Sequence, residues 1–237
     1  DNQRELAYSN GSYNFDSSFS NLKDVFGEHD YIACNMESPI CEPPYMGFPK
    51  FNTPVEFADS LMDVGANIFF LANNHINDRG EAGIESTINK LTTDYTKGGV
   101  DKSKIYTLGA FGNNIGNKYI IINDVAILNY TNILNNKEVG GNIDINLIED
   151  DMMSISQDIA DVRGKGVVIV HPVTDVVNNG GVESSGGSAL VSGVGVLKNN
   201  LAVLECYALK NNVFVACLLT VLINGDESLV LCTLMLE

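Results

Sequence analysis

The sequence predicts a layered α/β domain built on parallel strands. Short apolar runs alternate with stretches of helical period, and three of those runs end abruptly in polar, chemistry-bearing residues. Strands that alternate with helices imply crossover connections and parallel pairing. The last third changes to closely spaced apolar runs with turn chemistry between them. The 237 residues are enough for one large core, and no linker or repeat divides them, so residues 1–237 are expected to form a single domain.

In chain order, Phe19, Leu22 and Phe26 recur at helical spacing over Phe15 to Phe26, with Asp16 as the expected N-cap. Tyr31 to Cys34 reads as a buried strand that delivers Asn35-Met36-Glu37 at its tip. A proline-rich loop runs from Pro39 to Pro54. It leads into a helix with Thr53 and Glu56 as a capping box around Pro54, closed by Gly65. Phe57, Leu61 and Val64 give that helix its apolar stripe. Ile68 to Ala72 is a second strand, tipped by Asn73-Asn74-His75. After the Asp78-Arg79-Gly80 turn, Ile84, Ile88 and Leu91 mark another amphipathic helix.

Two apolar runs from Tyr119 to Tyr130 flank Asn123-Asp124 and read as a β-hairpin. Ile148, Met152, Ile155, Ile159 and Val162 predict a helix that Gly164 and Gly166 end. Val167 to Val170 is a third strand, tipped by His171. Asn178 to Gly195 is rich in Gly and Ser and reads as loop. Leu201 to Leu209, Val213 to Ile223 and Leu229 to Leu236 then predict an antiparallel meander that closes the sheets.

Composition narrows the function. A formal net charge of −16 without a Lys/Arg cluster opposes a phosphate backbone, so no nucleic-acid partner is expected. No run approaches the roughly 20 apolar residues of a membrane-spanning helix. No basic n-region with an apolar h-region opens the chain. Cys34, Cys41, Cys206, Cys217 and Cys232 show no C-x-x-C spacing, and they are expected to be unpaired structural cysteines.

The chemistry gathers at strand tips: Asn35 with Glu37, then Asn73, Asn74 and His75, then His171. Loops converge at the carboxyl ends of strands while the strands beneath stay rigid. A carboxylate, amide oxygens and imidazoles suit a divalent transition metal that activates water. Plainer readings stand beside this one. Asn73-Asn74 is also ordinary turn chemistry, His171 before a proline is also a strand end, and Glu37 is also a solvated loop carboxylate. Asp78 is either part of a helix-entry turn or the partner that orients His75.

Asn35-Met36-Glu37-Ser38-Pro39-Ile40, then Gly47 to Pro54, then Leu71-Ala72-Asn73-Asn74-His75 with Asp78 and Gly80 resemble successive motifs of the CapA family. So does the following helix with Gly83, Ile84, Thr87 and Leu91. That family is related to the calcineurin-like metallophosphoesterases and associated with poly-γ-glutamate capsule synthesis or export. The resemblance implies a four-layer α-β-β-α sandwich of metallo-dependent phosphatase type. It implies His75 and Asp78 as catalytic residues, and Asn35, Glu37, Asn74 and His171 as ligands of a divalent transition metal such as Mn, Fe or Zn.

The family's opening Gly-Asp strand and its nearby histidine are expected to precede Asp1. The late His-Pro-His motif has no counterpart in Ser192-Gly193-Val194-Gly195-Val196, and Cys217-Leu218-Leu219-Thr220-Val221 stands where a Ser-Leu-Gly-Asn-Phe strand is usual. A weak or absent metal is therefore expected. The resemblance also implies capsule-synthesis machinery or an anionic polymer as partner, and an extracytoplasmic or cell-surface location. Membrane association would come through a segment outside this chain. Two functions follow: a metal-dependent hydrolase of phosphoester or γ-glutamyl amide bonds, or a non-catalytic binding or scaffold component with a degenerate site. A third reading is an α/β domain whose strand tips are only turns.

Overall fold

The computed structural model describes residues 2–27, 29–93, 104–123, 125–136, 141–148, 153–162, 167–173, 195–196, 203–209, 214–223 and 227–235, the strands from residue 167 onward as backbone. A short helix α1 (Asn2–Ala7) and a small hairpin of β1 (Tyr8–Ser9) and β2 (Ser12–Tyr13) lead into α2 (Asp16–Phe19), a 3-10 turn (Ser20–Leu22) and α3 (Lys23–Phe26). Then come β3 (Tyr31–Asn35), α4 (Val55–Asp63), β4 (Ile68–Phe70), α5 (Gly80–Thr92), β5 (Tyr106–Leu108), β6 (Ala110–Gly112), β7 (Ile115–Gly116), β8 (Tyr119–Ile122), β9 (Val125–Thr131) and β10 (Ile143–Ile145). Helix α6 (Met153–Val162) precedes β11 (Val167–Val173), β12 (Gly195–Val196), β13 (Val203–Leu209), β14 (Phe214–Ile223) and β15 (Glu227–Met235).

The mixed α/β architecture rests on two larger sheets. One has the strand order β13-β14-β15-β3-β4-β5 and the other β12-β11-β9-β8. Strands β15, β3, β4 and β5 run parallel, as do β9 and β11. These central strands are nearly continuous apolar runs because both faces are covered. The expected meander forms, and it extends the first sheet alongside β3.

Alternation along the strands divides the core. Ile32, Cys34 and Phe69 pack with Phe57, Leu61, Ile84 and Ile88 of the helices. Ala33, Ile68, Phe70 and Leu108 pack with Ile120, Ile122, Val125 and Ile127 of the second sheet. Ala126, Leu128 and Tyr130 pack with Ile155 and Val162 of α6. A buried Phe or Ile side chain contributes ~1.5–3 kcal/mol, so these clusters outweigh local propensity in fixing the layers.

The β8–β9 hairpin forms as read, with Ile122 opposite Val125 and Asn123 at φ +52° in the turn. Five expectations are corrected. The helix over Phe15 to Phe26 is broken by the 3-10 turn; its first segment is preceded by Phe15, and Asp16 instead accepts a hydrogen bond from Ser60 Oγ at 2.6 Å. The capping box is not made: Pro54 is the N-cap, and Thr53 Oγ1 donates to Ser38 Oγ at 2.6 Å. Ile148 is outside the helix, because its N–H bonds Thr131 O at 2.8 Å and extends an edge instead. His171 lies within β11, opposite Asn129, not at its tip, because pairing with β9 continues to Val173. Of the Ser/Gly-rich loop read over Asn178 to Gly195 only Gly195 is described, and it opens strand β12 instead of ending a loop; the rest of that stretch and the glycines after α6 lie outside the described residues.

Cys34 and Cys41 carry free thiols, and burial raises the Cys41 pKa. Among the described residues no helix is long and apolar enough to cross a membrane.

Candidate active site

Strands β3 and β4 are parallel neighbours with Asn35 opposite Phe70. Both therefore release their loops at one sheet edge, and the Met36 N–H still bonds Phe70 O at 2.9 Å. This brings the first two predicted tips together.

Asn73, fully buried, organises the junction. Its Oδ1 accepts the His75 N–H at 3.1 Å, and its Nδ2 donates to Asn35 Oδ1 at 3.2 Å and to Met36 O at 3.0 Å. The direction is set by chemistry. A backbone N–H can only donate, so Asn73 must present oxygen to His75 and nitrogen to Asn35. Asn35, 6 % exposed, then has its Nδ2 donor left over, without a hydrogen-bond partner.

The His75 ring is held on three sides. Its Nδ1 is 2.7 Å from Asp78 Oδ2, and the same oxygen accepts the Phe51 N–H at 2.8 Å. The Phe51 ring lies against the imidazole with centroids 4.2 Å apart. Arg79 secures that loop through Nε to Phe51 O at 3.0 Å and Nη2 to Lys50 O at 2.8 Å. Asn135 Nδ2 is 2.9 Å from Nδ1 and 3.2 Å from Nε2. Because the carboxylate requires the proton on Nδ1, the amide can donate only to Nε2. The ring is thus assigned the Nδ1–H tautomer, with the Nε2 lone pair on the side where Glu37 Oε1 stands 3.9 Å away.

The predicted site residues fall into two groups. Asn35, Glu37, His75 and Asp78 form one connected cluster. Asn74 borders it, bonded through its carbonyl to the Asn135 N–H at 2.9 Å and through Nδ2 to Asn135 Oδ1 at 3.5 Å. His171 enters only by register: its partner Asn129 grips Ala72, with Oδ1 accepting the Ala72 N–H at 2.7 Å and Nδ2 donating to Ala72 O at 3.4 Å. The second sheet is thereby fastened to the β4 loop three residues before His75.

Sequence reasoning missed Phe51 and Asn135. Asn135 had a usable signal, since Asn135-Asn136 follows a strand much as Asn73-Asn74 does. Phe51 had only its place in the Gly47 to Pro54 stretch, and nothing local marks a loop phenylalanine as the partner of a distant imidazole.

A comparison with curated proteins finds no match. The sequence model of the family described as bacterial capsule synthesis protein PGA_cap matches residues 1–175, which include both strand-edge loops, the β8–β9 hairpin and β11. The chain belongs to this bacterial capsule synthesis family.

Proposed function

We propose that this capsule-biosynthesis protein carries a hydrolytic site in which His75, oriented by Asp78, moves a proton during cleavage of a phosphoester or γ-glutamyl amide of the capsule polymer or its precursor. The observation that carries this reading is the 2.7 Å pair between His75 Nδ1 and Asp78 Oδ2. It holds the ring in one tautomer, and Nε2, once a water displaces the Asn135 amide that donates to it, takes a proton from that water and returns it to the leaving group. Glu37, 3.9 Å from Nε2, stabilises the charged ring. The family's four-layer α-β-β-α sandwich is part of the proposal, supported by the succession of three apolar clusters from helices to α6. So are an extracytoplasmic or cell-surface location and work alongside the capsule-synthesis machinery, both consistent with the family.

The divalent metal that the resemblance implies fits these residues poorly. Asp78 is committed to His75 and the Phe51 N–H, and the unpartnered atom of Asn35 is a donor. Among the described residues no group of three or more His, Cys, Asp and Glu is placed to hold a metal. A two-metal clamp needs several anionic or imidazole ligands converging on ions about 3.5–4 Å apart. Asn35, Glu37, Asn74 and His171 would hold at most one ion, weakly, and no proton transfer proposed here passes through it.

The committed amide network also favours a second reading, a non-catalytic binding or scaffold member. The experiment is turnover of p-nitrophenyl phosphate and of a γ-glutamyl anilide by the purified protein, with elemental analysis after dialysis. Turnover abolished in His75→Ala supports the hydrolase. A folded protein with no turnover of either substrate supports the scaffold. Two tightly held metals per chain would overturn the ligand reading.

A further inference from the structure

Phe51, the ring that lies against His75, is a half-buried loop residue with two places to go. It borders a cavity of about 140 Å³ whose apolar walls include the buried Phe15, Phe57 and Leu61. A cavity of ~150 Å³ with such walls accepts a benzene-sized group. Packing alone therefore does not decide whether the phenyl ring rests on the imidazole, as it does with centroids 4.2 Å apart, or turns in among Phe57 and Leu61. The hold on its backbone decides.

Two consecutive residues supply that hold, and they act differently. Asp78 Oδ2 is shared between the Phe51 N–H at 2.8 Å and His75 Nδ1 at 2.7 Å, so it links the two without fixing where the loop runs. Arg79 takes the carbonyl side, with Nε on Phe51 O at 3.0 Å and Nη2 on Lys50 O at 2.8 Å. A guanidinium is planar, and two of its N–H groups on successive carbonyls admit one orientation of the loop backbone. The path of Arg79 is itself built. Arg79 stands immediately before α5, and Gly83 lies one turn into that helix. A Cβ on Gly83 would stand 2.3 Å from Arg79 Cβ and 3.5 Å from Cys41 Sγ. Glycine weakens a helix interior, and here it leaves the Arg79 stem its room.

We infer that Arg79 is a positioning residue for His75: its fork on Lys50 O and Phe51 O keeps the Phe51 ring on the imidazole and out of the cavity, and Gly83 gives its stem room. The inference rests on the His75 reading for its consequence in catalysis, where a displacement of ~1 Å can cost ~10²-fold in rate. The position of the ring is measured without turnover, so the two readings fail separately.

The chain has three histidines, and with ¹³C-labelled imidazoles each gives its own ring signals in NMR spectra. The His75 signals are those lost in His75→Gln. Phe51→Leu removes the aromatic ring current and sets where the His75 signals stand with nothing stacked on them. Arg79→Ala should move them most of the way to that position, with His29, which precedes β3, unmoved. Adding Arg79→Ala to Phe51→Leu should then change little, because residues that act through one another are not additive. Arg79→Lys keeps the charge without the planar fork and should restore only part of the shift. Gly83→Ala leaves the guanidinium in place but displaces its stem, and it should move the signals in the same direction. That variant keeps the test intact if Arg79→Ala does not fold. His75 signals unmoved in a folded Arg79→Ala or Gly83→Ala protein, His29 moving with them, or a full further shift in the double variant would each overturn the proposal.

Discussion

Two buried aspartates sit on opposite sides of the second sheet and do different work. Asp78, at the edge of β4, holds His75 and the Phe51 N–H. Asp158, on α6, accepts from Lys118 Nζ at 2.5 Å and from Tyr130 OH at 2.7 Å, tying the helix to β9 and the segment before β8. Both carboxylates are paired, as burial demands. The difference lies in what the partners have left. Tyr130 is buried where the sheet packs on α6 and Lys118 reaches Asp158 from a partly exposed position, so their pairing serves stability. His75 has a second nitrogen turned toward Glu37. A buried pair becomes a chemical device only where one partner keeps a second atom held by a neutral donor that a water can displace, as Asn135 Nδ2 holds Nε2 here.

The largest expected effect tests the His75 side. His75→Ala should lower any hydrolytic rate, counted per folded molecule, by ~10²–10⁴-fold, measured on p-nitrophenyl phosphate. His75→Ala that unfolds the protein would place His75 with Asp158 as a structural residue.

The next effect concerns the fastening between the sheets. Gly109 has φ +93°, and a Cβ there would stand 2.3 Å from Asn129 Oδ1 and 2.8 Å from the Ala72 nitrogen. Gly109→Ala should destabilise by about 3 kcal/mol, since strain at a positive φ adds to loss of the Asn129 grip. Denaturant unfolding measures it. A loss below about 1 kcal/mol would mean that the β4 loop does not depend on the second sheet.

On the opposite side, Asp158→Ala should cost roughly 2–3 kcal/mol with activity per folded molecule unchanged, because it leaves the Tyr130 hydroxyl buried and unpaired. A matching fall in activity would erase the contrast between the two aspartates.

A smaller, pH-resolved effect follows from Tyr130. Burial, then the hydrogen bond and charge of Asp158, raise its pKa far above the ordinary 10.0. The unfolded chain therefore releases the tyrosine proton near pH 10 while the folded chain keeps it, so stability is full below that pH and falls above it. Tyr130→Phe should flatten that decline, which urea midpoints between pH 8.5 and about 11 would detect. At the far end, the exposed pair between Glu42 and Lys90 at 2.9 Å should change stability by less than about 0.5 kcal/mol when Glu42 becomes Gln.

Much of the scaffold was readable because its signals are local. The runs at Tyr31 and Ile68, the stripe Ile84, Ile88 and Leu91, and the Asn123 turn are each set by side-chain period or turn chemistry within a few residues. The readings that failed were those where a distant partner outbid a local one. Thr53 found Ser38 instead of the start of α4, Asp16 found Ser60, and Ile148 found Thr131. His171 read as a tip because the apolar run stops at Val170, but strand length is decided by the neighbouring strand.

The sequence by itself determined that this is an α/β chain with apolar parallel strands, acidic overall, carrying Asn35, Glu37, Asn74, His75 and Asp78 where two such strands end. Only the tertiary structure decided what those residues present to one another. The relay from the His75 N–H through Asn73 to Asn35, the choice of the His75 tautomer, and the sharing of Phe51 between the imidazole and the apolar cavity each join segments far apart in the chain. The physical reason is that an amide or an imidazole can donate or accept on either end, and its polarity is set by the first partner in space that has no choice. Here that partner is a backbone N–H or a buried carboxylate, and no period in the sequence records it.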